Sequence, residues 1–188
     1  NSVSYGACLQ MIALQNTVRH MGHEVEIINY HNPYMKAEKH IRKGQGTLRF
    51  VLQRAVRRWV HRPLYAAFAA FERQNVRLHP ARAFSDRASL MRHGDVYDAV
   101  VCGSDQVWNP VAMHEDLFLA YAPENSKRIS YAASMGNERI PDANKERFAQ
   151  LIGKYDALSV REDTVVKIVE PLTAHPVHQH VDPVFLKS

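Results

Sequence analysis

Three short polar strings have the residue types needed to grip an anion and move a proton. They are Gly103-Ser104-Asp105-Gln106-Val107-Trp108-Asn109-Pro110, Arg161-Glu162-Asp163, and Asp182-Pro183. A fourth stretch, Ile129-Ser130-Tyr131-Ala132-Ala133-Ser134, ends on a hydroxyl. The carboxylates of Asp105, Glu162 and Asp182 can accept protons or hold hydroxyls. The Arg161 guanidinium can hold a phosphate or carboxylate through two parallel hydrogen bonds. Ser104, Gln106, Asn109 and Ser134 add neutral donors and acceptors. Each group also has a plainer reading. Ser104 or Asp105 could cap a helix, and Arg161 could pair with Glu162 or Asp163 at a helix start.

What must position these groups is a set of short apolar runs just ahead of them. Residues 97–102, 127–134, 155–160 and 176–181 have the length and composition of buried strands. Helical patterns lie between them, over 85–93, 141–153 and 163–169. Earlier in the chain, residues 5–21 read as a helix that is apolar nearly all round and therefore largely buried. Gly22 stops it, and residues 25–30 read as a strand. Strands alternating with helices predict a parallel sheet covered by helices on both faces. Parallel strands bring their carboxyl ends to one edge, so Asp105, Ser134, Arg161, Glu162 and Asp182 should meet there. Helix, Gly, strand is half of a βαβ unit, so the chain is expected to begin just after a first strand. Its opening Asn1-Ser2-Val3-Ser4-Tyr5-Gly6 would be the following loop. The backbone of Tyr5 and Gly6 could hold an anion there, or could be a plain turn.

Composition narrows the class. The chain has 188 residues, 46% hydrophobic and 23% charged, as expected of a soluble globular domain. It is expected to carry neither a membrane span nor a secretory signal. Cys8 and Cys102 lie far apart in apolar runs and read as buried free thiols of a cytosolic protein. The 11 histidines match no zinc spacing. His175, His178 and His180 form the tightest group, and no metal or cofactor is expected.

Charge is concentrated in one segment. Residues 36–62 hold nine Lys or Arg against the single acid Glu38, while the whole chain has a net charge of +5. Residues 36–80 read as a basic helical insertion with helices over 47–60 and 63–76, the second ended by His79-Pro80. Arg54, Arg57 and Arg58 are its candidate acceptor or anion patch, although basic helices are often solvated faces. No nucleic-acid recognition motif accompanies them. A polyanionic or lipid-linked glycan at a membrane surface suits them better.

Six segments, in order, resemble the polysaccharide pyruvyl transferase family. They are Tyr5-Gly6-Ala7-Cys8-Leu9-Gln10 with Ala13-Leu14-Gln15, then Gly22 to Tyr30, then Gly103 to Pro110 as the most specific. Arg128 to Gly136, Ser159-Val160-Arg161-Glu162 and Val181-Asp182-Pro183 complete the set. The resemblance implies a Rossmann-like α/β domain over residues 1–188, the N-terminal half of a two-domain enzyme resembling the GT-B glycosyltransferases. The family's C-terminal half, with further basic residues and a donor-site His, is expected to lie outside this chain. The implied reaction moves the pyruvyl group of phosphoenolpyruvate onto two hydroxyls of a cell-surface or exopolysaccharide sugar as a ketal. Asp105 is then the catalytic candidate. Arg161 is the candidate donor-binding residue, with Ser104, Gln106, Asn109, Ser134, Glu162, Asp182, Tyr5 and Gly6 around the substrates. The implied location is cytoplasmic, at the inner face of the membrane where the acceptor is lipid-linked. Two other classes stay open: a glycosyltransferase of the same architecture using a nucleotide-sugar, and a non-catalytic glycan- or anion-binding module.

Overall fold

A computed structural model describes residues 4–30, 56, 59–84, 86–94 and 96–186. Helix α1 (Tyr5–His20) starts at Ser4, whose Oγ accepts the Ala7 N–H at 3.4 Å. Strand β1 (Ile27–Tyr30) follows. Helix α2 (Arg62–Asn75) has Pro63 in its first turn, where the missing N–H is not needed. Strand β2 (Leu78–Phe84) pairs parallel with β1. Helix α3 (Arg87–Gly94) leads into β3 (Ala99–Cys102), which pairs parallel with β4 (Lys127–Ser130). A 3-10 turn (Asp142–Asn144) opens helix α4 (Lys145–Ile152). Strand β5 (Leu158–Val160), helix α5 (Asp163–Val169) and strand β6 (Val177–Gln179) complete the alternation. β5 and β6 also pair in parallel. The architecture is mixed α/β with parallel strands.

Single bridges, Ile129 to Ala157 and Ala133 to Val160, join β4 to β5 and give the order β3-β4-β5-β6. Two buried serines do much of the joining. The Ser159 N–H and hydroxyl donate to Ser130 Oγ and O at 2.9 and 3.2 Å. The Ser130 hydroxyl returns a bond to Ser159 O at 3.1 Å, and the Ala132 N–H donates to Ser159 Oγ at 2.8 Å. Side chains thus satisfy buried backbone groups where the regular ladder thins out.

Several expectations change. The strand expected over 127–134 stops at Ser130, because Ala132 takes φ 49° and turns the chain before it bridges again at Ala133. Similarly, the strand expected from 155 begins at Leu158, and Tyr155 instead drops into the core. His79-Pro80, expected to end a helix, lies inside β2. A strand tolerates Pro where its N–H has no ladder partner, as at an edge, and among the described residues β2 pairs only with β1. The helix α1 was expected to be largely buried, yet only Cys8, Ala13 and Gln15 are. It packs chiefly on the turn Pro183–Leu186, and most of its other residues are half-buried or exposed. Both thiols are free and buried, as expected, and burial pushes the Cys102 thiol up to about 12, leaving it unreactive. Among the described residues no helix is long and apolar enough to cross a membrane, and no group of three metal-ligating side chains occurs.

One ion cluster ties the outer helices to the loop after the signature string Gly103 to Pro110. Glu115 accepts from Arg147 Nε and Nη2 at 2.6 and 2.8 Å, and from Arg87 Nη1 at 3.1 Å. The Arg147 bonds first, then those from Arg87, outweigh partial burial and hold the Glu115 carboxyl down to about 2, against an ordinary value of 4.5. A carboxyl depressed in the folded state adds stability above its unfolded pKa and loses it as pH falls through the folded one. Native protein should therefore exceed Glu115→Gln by about 1 kcal/mol at neutral pH, a value discounted for solvent screening. The gap should close between about pH 4.5 and 2 in urea titrations. A gap that persists unchanged at pH 2 would rule out the charge as its source.

Candidate functional site

The carboxyl ends of β3, β5 and β6 converge on one polar cluster, with α1 lying against it. Gly103 ends β3, and its α-carbon faces Leu14 of α1, where an added Cβ would sit 3.3 Å from Leu14 Cδ2. This approach brings Gln10 of α1 over the strand ends. Gln10 Nε2 donates to Asp182 Oδ2 and, at 3.5 Å, to Ser104 Oγ. The Ser104 hydroxyl donates to Asp182 Oδ2 at 3.1 Å and accepts from Arg161 Nη1 at 3.2 Å. Arg161 Nη1 also reaches Asp182 Oδ2 at 3.4 Å, and its Nε donates to Glu162 Oε1 at 3.1 Å. The Ser134 hydroxyl donates to the same Glu162 oxygen at 2.8 Å. Four chain segments beyond α1 thus contribute one linked set: Ser104, Ser134, Arg161 with Glu162, and Asp182.

Charge within the set is balanced in a particular way. Burial works against the Asp182 carboxylate, but hydrogen bonds from the Val184 N–H, Gln10, Ser104 and Arg161 outweigh it and lower its pKa. Asp182 is therefore a permanent anion that orients Ser104 and one edge of Arg161. The other carboxylate is only half used. Glu162 Oε2 is buried and has no hydrogen-bond partner among the described residues. Such an oxygen calls for a donor from water or from a ligand hydroxyl. Arg161 is about one-third exposed, and among the described residues its Nη2 has no protein partner. The cluster therefore has one cationic N–H group, at Arg161 Nη2, and one buried carboxylate oxygen, at Glu162 Oε2, with no partner among the described residues.

The structure treats the remaining sequence candidates differently. Asp105 is exposed, and its Oδ1 accepts only its neighbour's N–H, Gln106 N, at 2.9 Å. Its backbone lies at φ 101°, a conformation that costs a non-glycine residue about 1–3 kcal/mol and persists only where the surrounding structure holds it. Two bonds to Asp105 O hold it there, from Ser134 N at 3.0 Å and Val107 N at 2.7 Å. Gln106 is exposed and folds over Gly136, where an added Cβ would come within 2.4 Å of its side chain. Asn109 Oδ1 caps the following turn by accepting from the Val111 and Ala112 N–H groups at 2.9 and 3.0 Å. Tyr5 packs edge-on against Phe68 of α2, with ring centroids 5.6 Å apart, and is not among the cluster's bonded residues. Gly6 faces open space. Arg54, Arg57 and Arg58 lie outside the described residues.

Sequence reasoning did not single out Gln10 as a site residue. The signal was present: an amide in a helix of mostly apolar residues, one turn after Gly6. The helix expected to be buried all round hid the fact that it has one polar side with a purpose.

No curated protein and no solved structure matches the chain. A family model does. The model for polysaccharide pyruvyl transferase matches residues 5–187, which takes in every strand and helix of the described fold and all the residues of the polar cluster. The chain belongs to the polysaccharide pyruvyl transferase family, a family of enzymes.

Proposed function

We propose that this protein transfers the pyruvyl unit of phosphoenolpyruvate to two hydroxyls of a polysaccharide precursor, forming a cyclic ketal and releasing phosphate. The observation that carries this reading is the polar cluster at the strand ends, in a chain of this family. There, Arg161 Nη2 and Glu162 Oε2 have no partner among the described residues, while Nε and Oε1 of the same two side chains are bonded. A donor that bears both phosphate and carboxylate needs a directional cation, which Arg161 supplies. The reaction adds a proton to the enol methylene carbon, making a methyl group and an electron-poor centre at C2. One sugar hydroxyl attacks C2 and loses its proton. Phosphate then leaves, and the second hydroxyl closes the ketal and loses its own. One hydroxyl proton thus replaces the one taken up by the methyl group, and the other leaves with phosphate.

A general base and a field that favours the cationic centre are required for this chemistry. Asp105, held in its strained conformation beside Ser104, is the residue to which we assign that role. On this reading Ser134, Glu162 and Asp182 orient the substrates and Arg161. The chain acts as the N-terminal domain of a GT-B-like enzyme, and the general acid comes from a second domain. Its place of work is the cytoplasmic face of a membrane, where an acceptor built on a lipid carrier is presented. The basic segment 36–62, including Arg54, Arg57 and Arg58, attracts it.

The deciding experiment is calorimetric titration of the full-length enzyme with phosphoenolpyruvate and, separately, with nucleotide-sugars. Heat with phosphoenolpyruvate alone fits the reading. Heat with nucleotide-sugars alone would replace it with glycosyl transfer. In the same preparation Asp105→Asn should lower turnover at least tenfold, which corresponds to roughly 1.4 kcal/mol. Its melting temperature should hold, because Asn also adopts positive φ. Turnover equal to that of the native enzyme would remove Asp105 from the chemistry.

A further inference from the structure

Strand β5 turns Leu158 and Val160 into the hydrophobic core. Side chains alternate along a strand, so Ala157 and Ser159 lie on the opposite face of the sheet. The bridge from Ile129 to Ala157 and the pairing of Ser159 with His178 put Ile129, Tyr131, Pro176 and His178 on that face too. The middle strand thus carries two small residues between larger ones on either side. The result is a trough along β5 of about 330 Å³, with His175 and His180 also in its lining. Ala157, Pro176 and all three histidines are exposed.

The floor of the trough has little hydrogen-bonding capacity left. The Ser159 hydroxyl is engaged by Ser130 O and the Ala132 N–H, and the Asp156 carboxylate by Lys127 and the Arg128 N–H. The rings on its walls differ. Tyr131 and His180 meet across Ser159 as near-parallel rings with centroids 5.4 Å apart, and His178 continues the row at 6.0 Å. Among the described residues, the Tyr131 hydroxyl and the imidazoles of His175, His178 and His180 have no hydrogen-bond partner. A neutral imidazole has one donor and one acceptor, which suits a hydroxyl better than a phosphate, which only accepts, or an ammonium, which only donates. A row of rings suits hydroxyls spaced around a rim, whereas metal ligands converge on one point. A pyranose has the matching form, with an apolar face of C–H groups and a rim of hydroxyls.

Ser159 lies two residues before Arg161 and His180 two before Asp182, so the trough adjoins the polar cluster at the strand ends. Burial, and then the Asp182 carboxylate, holds the Tyr131 phenol above its ordinary pKa, so that carboxylate lies near and the hydroxyl stays a donor. We propose that the trough over β5, walled by Tyr131, His178 and His180, binds a sugar ring of the acceptor chain next to the polar cluster. The assignment rests on the saccharide acceptor of the function proposed above and not on its donor.

The test follows the imidazole signals of the full-length enzyme by NMR, assigned with single histidine variants. The probes are the methyl glycosides of glucose, galactose and mannose, added one at a time, with glycerol as a control polyol. The His178 and His180 signals should move with at least one glycoside and stay still with glycerol. His178→Ala should weaken that glycoside roughly threefold to tenfold, the range for one neutral hydrogen bond. Ala157→Leu fills the floor from an exposed position and should abolish binding, with circular dichroism unchanged. Calorimetric affinity for phosphoenolpyruvate should be the same in both variants. No movement of either signal with any of the three glycosides, up to their solubility limit, overturns the proposal. Equal movement with glycerol, or full glycoside affinity in both variants, overturns it too. A dimer seen by light scattering and lost in Ala157→Leu would overturn it by assigning the trough to a second copy of the chain. Absence of phosphoenolpyruvate heat in the native enzyme would count against the donor reading alone and leave the sugar site standing.

Discussion

Trp108→Ala should cost about 3–5 kcal/mol of folding stability, the range for removing a large buried aromatic side chain. Trp108 is fully buried at the centre of the core. It stacks on Phe118 with centroids 6.4 Å apart and meets Tyr155 edge-on at 5.2 Å. Phe118 in turn meets Phe148 of α4 edge-on at 5.5 Å. The Trp108 Nε1–H donates to the Tyr155 hydroxyl at 3.1 Å, and that hydroxyl lies 3.4 Å from Cys102 Sγ of β3. Truncation therefore opens a cavity and leaves a buried hydroxyl short of a partner, two costs that add. For a domain whose total stability is about 5–15 kcal/mol, such a loss brings it close to unfolding. Urea unfolding should show a lower midpoint with an unchanged slope, the mark of a stability change rather than a change of state. Trp108→Phe keeps most of the packing and forfeits the hydrogen bond, so it should cost less, about 1–3 kcal/mol. A loss below about 1 kcal/mol for Trp108→Ala would mean that the aromatic stack is not what holds the signature loop.

The prediction separates two halves of one motif. Ser104 bonds into the polar cluster and Asp105 is exposed, whereas Trp108 and Asn109 hold the loop, one from inside the core and one as a cap. In the sequence these residues read as one polar string, and nothing in their types says which way each one turns. Gln106 and Asn109 looked equivalent for the same reason. Strand periodicity does not help past Gly103, because the chain leaves the sheet there.

What the sequence did carry was the order of the elements and the edge where they meet. Alternating apolar runs and helical patterns located β3, β4, β5 and β6 and the helices α3, α4 and α5. The rule that parallel strands present their ends together predicted that Asp105, Ser134, Arg161, Glu162 and Asp182 would meet in one region. The last four are bonded in one network, which Ser104 joins in place of its exposed neighbour Asp105. The failures lie where tertiary context outweighs local signals. Pro80 reads as a breaker, yet a parallel pairing with β1 accommodates it. Small residues at Ala132 and Ala133 read as strand, yet Ala132 has to turn so that Ser134 can reach Glu162. Burial of α1 was overestimated because a count of apolar residues does not say how many of a helix's faces meet a core.

In Arg161→Lys, phosphoenolpyruvate should bind more weakly by about 1–3 kcal/mol, the range for a hydrogen bond to a charged group. Arg161→Ala should lose more than that range. Lys keeps the charge but lacks the planar set of donors that holds Glu162, Ser104 and Asp182 while leaving a further N–H group for the donor. The structure gives that geometry: Nε is engaged by Glu162 at 3.1 Å and Nη1 by Ser104 at 3.2 Å and Asp182 at 3.4 Å. Nη2 is left over. A competing view holds that Arg161 only neutralises its two carboxylates. Partly exposed ion pairs of that kind are worth up to about 1 kcal/mol, and the view predicts a change of that size in stability with no effect on the donor. The two views therefore differ in which measurement moves. Calorimetry with phosphoenolpyruvate and thermal melts on both variants separate them. A large fall in donor affinity with a small fall in melting temperature identifies Arg161 as the donor clamp. Unchanged affinity in Arg161→Ala, with the protein still folded, would leave Arg161 as an internal counter-ion and move the donor's cation elsewhere.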